Sequence, residues 1–290
     1  MIGARILLLL CVIFWGWSFV ATKIAVQYVN PFELLAIRYI LALPILVFVF
    51  FSKKIKLQFE KRDKIAVLLG SVIITAHFLI QITGLQFTSA TNTGWIISVS
   101  PLVMAVLAHF ILKEEIGRNQ IIGIVTATFG IFLLISKGEF SSFGWLASTG
   151  DWLVLVSAFT WAFYSIATKS VSQRQNPVAV TIGVLGPSAI LVILYVAFTS
   201  DWTKFLHLPL EPVLALVFLG IFAMGLAQWF WQAGMAKIGA ARAGIFLYLE
   251  PLFTTALAVP YLKEEFGLIS AIGGMLVLLG VYVAEKRKAN

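Results

Sequence analysis

The sequence predicts an all-α integral membrane protein with ten transmembrane helices arranged as two inverted five-helix repeats. Three observations carry that reading. The 290 residues are 60% hydrophobic and 12% charged, with a mean hydropathy of +0.98, whereas soluble domains are roughly 45–50% apolar and about 25% charged. The apolar residues form long runs such as Ile65 to Ile82, where a transmembrane β-barrel would show short alternating segments. The second half of the chain also repeats residues of the first at a nearly constant offset. A spanning helix takes about 20 apolar residues, so ten would use roughly 200 and leave no room for a sizeable extramembrane domain.

Charges and turn residues bound ten apolar segments. The first, 4–27, follows Arg5 and continues past Trp15 and Trp17 without a clear small-residue cleavage site, so it reads as an uncleaved span and not a signal peptide. The second, 32–52, opens after Asn30-Pro31 and stops at Lys53; the third, 64–85, follows a basic stretch. The fourth, 91–112, contains Pro101 and ends on Lys113-Glu114-Glu115, and the fifth, 119–136, carries Gly123 and Gly130. The sixth, 150–170, and the seventh, 178–198, flank Arg174 and Asn176-Pro177. The eighth, 211–235, stops before Lys237, and the ninth, 241–262, contains Pro251 and ends on Lys263-Glu264-Glu265. The tenth, 267–285, stops at Lys286-Arg287-Lys288.

The distribution of Lys and Arg sets the orientation. With the N-terminus inside, one face collects Arg5, the six basic residues from Lys53 to Lys64, Lys113, Arg118, Lys169, Arg174, Lys237, Arg242 and the last three; the other holds Lys23, Lys137, Lys204 and Lys263. Both termini are therefore expected in the cytoplasm, and the protein in the cytoplasmic (inner) membrane. The net charge of +8 records topology and contact with anionic headgroups, not nucleic-acid binding. The single cysteine, Cys11, permits no intramolecular disulfide and no Cys-based metal cluster.

The repeat is legible residue by residue. Trp15, Ala21, Thr22, Lys23, Asn30 and Pro31 recur 146 positions later as Trp161, Ala167, Thr168, Lys169, Asn176 and Pro177. Gly70, Gly84, Ala90, Gly94, Pro101, Gly117, Gly123 and Gly130 recur 150 positions later, as does Leu112-Lys113-Glu114-Glu115. Residues 1–140 and 141–290 thus form two units of five spans. An odd number of spans inverts the second unit relative to the first, an arrangement in which secondary transporters hold substrate near mid-membrane.

Asn-Pro after the first helix, a proline in the fourth and a glycine-rich fifth helix, present twice, resemble the EamA-type drug/metabolite transporter superfamily over essentially the whole chain. The resemblance implies a ten-helix secondary carrier, often an exporter of amino acids or other small metabolites. It also implies a central cavity formed mainly by helices 1, 3, 4, 6, 8 and 9.

Side chains that could line such a cavity come from several spans. Trp15, Ser18, Phe19 and Thr22 share one face of the first helix, and Trp161 and Tyr164 share the matching face of the sixth. Polar groups are costly in lipid, so His77 and Gln81 in the third span and Gln228 in the eighth should face inward; His77 also suits a proton relay. Trp95 and Tyr248 extend the candidate lining. Helix packing, interhelical hydrogen bonding or an interfacial aromatic belt could equally account for these residues. For coupling or gating the candidates are Glu250, Arg242, the proline pair Pro101 and Pro251 as hinges, and Lys23 with Arg38, both near outer helix ends and within reach of Glu33. Arg242 could attract a carboxylate or pair with Glu250.

No zinc-binding helix, nucleotide-binding loop or convincing Ser-His pair occurs. The sequence therefore points away from an intramembrane enzyme, with no catalytic residue, metal or cofactor assigned, and towards transport driven by a gradient or by exchange. The expected partners are a small-molecule substrate, the lipid bilayer and protons as a candidate coupling ion, in a monomer or homodimer. Export of a small amphipathic or zwitterionic metabolite such as an amino acid is the leading expectation; exchange of phosphorylated metabolites and multidrug efflux are the alternatives.

Overall fold

The computed structural model describes residues 2–56, 58–136, 148–263 and 268–285. Lys137, Glu264, Glu265 and the basic residues 286–288, which entered the topology and repeat arguments, lie outside the described residues. Among those described there is no strand. The elements are α1 (Ile2–Ala25), α2 (Pro31–Ser52), α3 (Lys61–Gln86), α4 (Ala90–Ile97), α5 (Ser100–Leu112), α6 (Arg118–Ser136), α7 (Thr149–Arg174), α8 (Pro177–Thr199), α9 (Leu210–Phe218), α10 (Ala227–Ile238), α11 (Ala240–Phe246), α12 (Glu250–Leu262) and α13 (Leu268–Glu285). Eight helical stretches are long and apolar enough to cross a membrane; the apolar parts of α6 and α13, Arg118–Leu133 and Ile272–Glu285, are shorter.

The starts of the helices follow from local chemistry. Asn30 accepts a hydrogen bond from the Glu33 N–H (3.0 Å) while the Glu33 carboxylate accepts from the Asn30 N–H (2.8 Å). With Pro31 in the first turn, this reciprocal cap satisfies backbone donors that have no helical partner. Ser148 and Asp151 cap α7 in the same way, and Asn176 accepts from the Val178 N–H ahead of α8.

Three segments expected as continuous helices are interrupted. The fourth divides into α4 and α5, and the ninth into α11 and α12 with a 3-10 turn at Leu247–Leu249 between them. A helical proline lacks an N–H and its ring collides with the carbonyl four residues earlier. For Pro101 that residue is Ile97, where α4 ends, and for Pro251 it is Leu247, where the 3-10 turn begins. Each proline consequently occupies the first turn of a new helix, not the middle of a bent one. The third interruption is a π-helical stretch, Leu219–Leu226, between α9 and α10; such stretches favour functional sites.

Packing concentrates polar groups inside and leaves apolar ones outside. Phe48, Phe51, Leu191 and Phe198 are exposed, while Ser157, Thr168, Gln228 and Gln232 are buried, the distribution that a hydrocarbon surround favours. Helices α6 and α13 pair closely through glycine: a Cβ on Gly130 would meet the Gly273 carbonyl at 2.7 Å and Leu276 Cβ at 2.9 Å. Gly130→Ala should therefore lower stability by about 1–3 kcal/mol through overpacking. Gly186, with nothing within 4 Å of its added Cβ, should tolerate alanine; detergent melting of the two variants measures the difference.

Candidate functional site

At the centre of the bundle α1, α2, α3, α5, α7 and α12, with Ile97 and Leu247 at the broken joints, enclose a cavity. Its volume is about 30 Å³, room for about one water molecule. Trp15, Ser18, Phe19, His77, Gln81 and Trp161 line it, together with Arg38, Phe78, Ser100 and Glu250. Trp15 and Trp161, 146 residues apart, meet edge to face with ring centroids 4.7 Å apart. Ile97 and Leu247, and Ser100 and Glu250, are each 150 apart and also share the wall. The breaks thus place the residues around each proline at the cavity.

The indoles differ in how their N–H groups are used. Trp15 Nε1 donates to the Ala223 carbonyl (2.9 Å), inside the π-helical stretch, and Trp231 Nε1 lies 3.3 Å from Ser165 Oγ. Trp161 Nε1 is buried without a hydrogen-bond partner, a donor whose desolvation is uncompensated. His77 Nδ1 lies 2.9 Å from the Ser157 carbonyl. A carbonyl only accepts, so Nδ1 carries hydrogen and the ring is oriented by α7.

Two ionisable side chains face the same cavity. Arg38 is 2% exposed and Glu250 5% exposed. The Arg38 guanidinium stacks on Phe78, 4.6 Å from the ring centroid, and its Nε has no hydrogen-bond partner. Glu250 is the first residue of α12, where the helix dipole favours negative charge. No ion pair joins Arg38 to Glu250 or to any other described carboxylate.

Other residues singled out in the sequence lie elsewhere. Arg242 is exposed near the start of α11 and forms no ion pair with Glu250. Lys23 donates to the carbonyls of Leu85 (2.8 Å) and Thr88 (2.6 Å). Glu33 pairs with Lys204 at 2.6 Å, not with Lys23 or Arg38, because Arg38 turns inward to Phe78 where the sequence placed it at an outer end. Trp95 and Tyr248 belong to a separate apolar cluster with α6 and α13, and Tyr248 bonds Thr128. Thr22 is buried outside the lining. Tyr164 stands behind Trp161, ring centroids 5.3 Å apart, and joins Gln228 and Gln232 in an interhelical network that also holds Thr168 and Ser172. The sequence reading missed Ser100, Phe78 and Trp231; a signal for Trp231 existed, since it falls 150 residues after Gln81.

Between α5 and α6, Glu114 ties the bundle together. Its carboxylate accepts from the N–H groups of Ala240 and Ala241, both at 3.0 Å, and pairs with Lys169 at 3.0 Å. Burial alone would raise its pKa, yet the two N–H donors at the start of α11 and the Lys169 ammonium outweigh burial and hold it below the ordinary 4.5. Nearby, Arg5 pairs with Glu285 and Arg174 with Asp63.

Comparison with known proteins agrees with this architecture. The EamA-like transporter family matches residues 3–136 and again 148–285. A Bacillus subtilis protein named as the uncharacterized transporter YyaM is 28% identical, over 94% of this chain and 90% of its own length. An Archaeoglobus fulgidus protein, also named as an uncharacterized transporter, is 26% identical over 98% of both chains. A crystal structure sharing 20% identity superposes with a TM-score of 0.77 over 97% of each chain, which establishes the fold alone. Apolar helices around an enclosed cavity, and a match that runs through both halves to relatives named as transporters, make this chain a multi-pass membrane protein that belongs to the EamA-like transporter family.

Proposed function

We propose that the protein is a secondary carrier that moves a small metabolite across the cytoplasmic membrane by alternating access, with ten spans in two inverted repeats and both termini in the cytoplasm. The working direction is export and the working cargo an amino acid or a related amphipathic metabolite. The observation that carries this reading is the closed central cavity, walled by Trp15 and Trp161 from equivalent helices of the two halves. Inverted halves exchange roles when one side opens and the other closes. The joints at Ile97–Ser100 and Leu247–Glu250 are the natural hinges, since each lacks continuous α-helical hydrogen bonding. A polyanionic cargo fits less well, because Arg38 is the one Lys or Arg side chain among the described residues of the lining and several would be needed to neutralise a phosphate ester. His77, at the cavity wall, is the candidate for a coupling proton.

Proteoliposomes preloaded with unlabelled solute and assayed for counterflow test the reading. Saturable counterflow of an amino acid is expected, with a response to an imposed pH gradient if protons are coupled. Strong exchange of phosphorylated metabolites without amino-acid flux would overturn the cargo, and turnover of a solute by the purified protein without a membrane would overturn the carrier.

A further inference from the structure

We infer that Arg38 and Glu250 form a two-point charge site that selects solutes carrying one carboxylate and one ammonium, the guanidinium taking the carboxylate and Glu250 the ammonium. This assignment rests on the carrier reading and deepens it. Both side chains are at least nine-tenths buried, line one cavity and have no ionic partner. An isolated charge in the membrane interior is costly, and an oppositely charged ligand group is what offsets that cost. An acid and a base without ionic partners in the lining of one cavity are satisfied together by a compact zwitterion; a lone cation or a lone anion leaves one of them unmet.

The positions support the assignment. Arg38 is held from below by the Phe78 ring, which fixes the guanidinium plane without using its in-plane N–H groups, the ones that engage a carboxylate bidentately. Glu250 sits at the N-terminus of α12 beside the Leu247 joint, so an ammonium bound there touches the hinge. The sequence repeat matches Glu250 with Ser100 and Arg38 with Val184, so neither charge has a counterpart in the other half. Elsewhere in the lining Trp15 is matched by Trp161 and Ile97 by Leu247. The cavity of about 30 Å³ is smaller than any such solute, so loading requires the bundle to open around it.

The test uses three probes of one carbon skeleton on the purified, reconstituted protein: leucine, isoamylamine and 4-methylpentanoate. Counterflow and quenching of the cavity tryptophans are read for the wild type, Arg38→Gln, Arg38→Lys and Glu250→Gln, each shown to be monodisperse and membrane-inserted. Leucine should compete at least about tenfold better than either singly charged analogue, the loss expected when a buried charged partner is left unpaired. Glu250→Gln should erase the preference for leucine over the acid, Arg38→Gln the preference over the amine, and Arg38→Lys should restore part of it. Equal competition by all three probes, or unchanged preferences in both charge-removing variants, would overturn the two-point site while leaving the carrier intact. Absence of counterflow with all three probes while another solute class is exchanged overturns the cargo and this site together, and absence with every class overturns the carrier.

Discussion

Replacing Trp161 by phenylalanine should weaken substrate binding without weakening the fold. Its indole N–H is buried and unpaired, so deleting that donor relieves an uncompensated desolvation. The phenyl ring keeps most of the contact with Trp15, whose centroid lies 4.7 Å away, and with His77 at 5.2 Å. The melting temperature in detergent should therefore stay level or rise, while KM for counterflow rises about tenfold if the N–H donates to substrate, the loss of one good hydrogen bond. Trp161→Ala is the harsher change. It removes edge contacts to Trp15, Trp231, His77 and Tyr164 together and should cost about 3–5 kcal/mol of stability, with transport lost even where inserted protein is recovered. Unchanged kinetics in both variants would remove Trp161 from the substrate path.

Glu114→Ala should loosen the packing of α11 against α7 and the end of α5. It removes the acceptor for two N–H groups at the start of α11 and leaves Lys169, 9% exposed, without its carboxylate. Breaking such a pair from one side should cost about 3–5 kcal/mol. Lys169→Ala should cost less, since Glu114 keeps its two backbone donors. The double variant should fall short of the sum by about 1–3 kcal/mol, the signature of direct coupling; strict additivity would mean that the two side chains are not coupled. The pH dependence follows from the lowered Glu114 pKa. A depressed carboxylate contributes stability that is fully present above its unfolded value and is lost as pH falls through the folded one. The contribution of Glu114 should accordingly be constant between pH 6 and pH 8 (about neutral) and disappear only below the ordinary 4.5, so the stability difference between wild type and Glu114→Ala should shrink over that acid range.

Much of the fold was legible because its signals are local. Length of apolar run, the Asn-Pro caps and the two prolines each act over a few residues, so the helix starts at Pro31 and Pro177 follow from sequence. Pro101 and Pro251 stand out in the sequence as hinges, and the clash of each ring with the carbonyl of Ile97 or Leu247 makes them breaks. The π-helical stretch at Leu219–Leu226 left no comparable mark. Nothing in those apolar residues distinguishes a π from an α turn without the Trp15 indole that bonds Ala223.

The site was legible only in part, and the division has one cause. Periodicity ranks the faces of a helix, so Trp15, Ser18, Phe19, His77, Gln81 and Trp161 were placed inward by sequence alone and line the cavity. Where a charge goes depends on which partner tertiary packing brings to it. Glu33 found Lys204, Lys23 found the Leu85 and Thr88 carbonyls, and Arg242 stayed in the open. Arg38 was left to stack on Phe78 and share a cavity with Glu250. A membrane-embedded helical chain with two related halves follows from composition and order alone, since burial in lipid and repetition are written into both. Which ionisable groups meet and which stay without a partner depends on distances between side chains far apart along the chain, and so emerges with the packing.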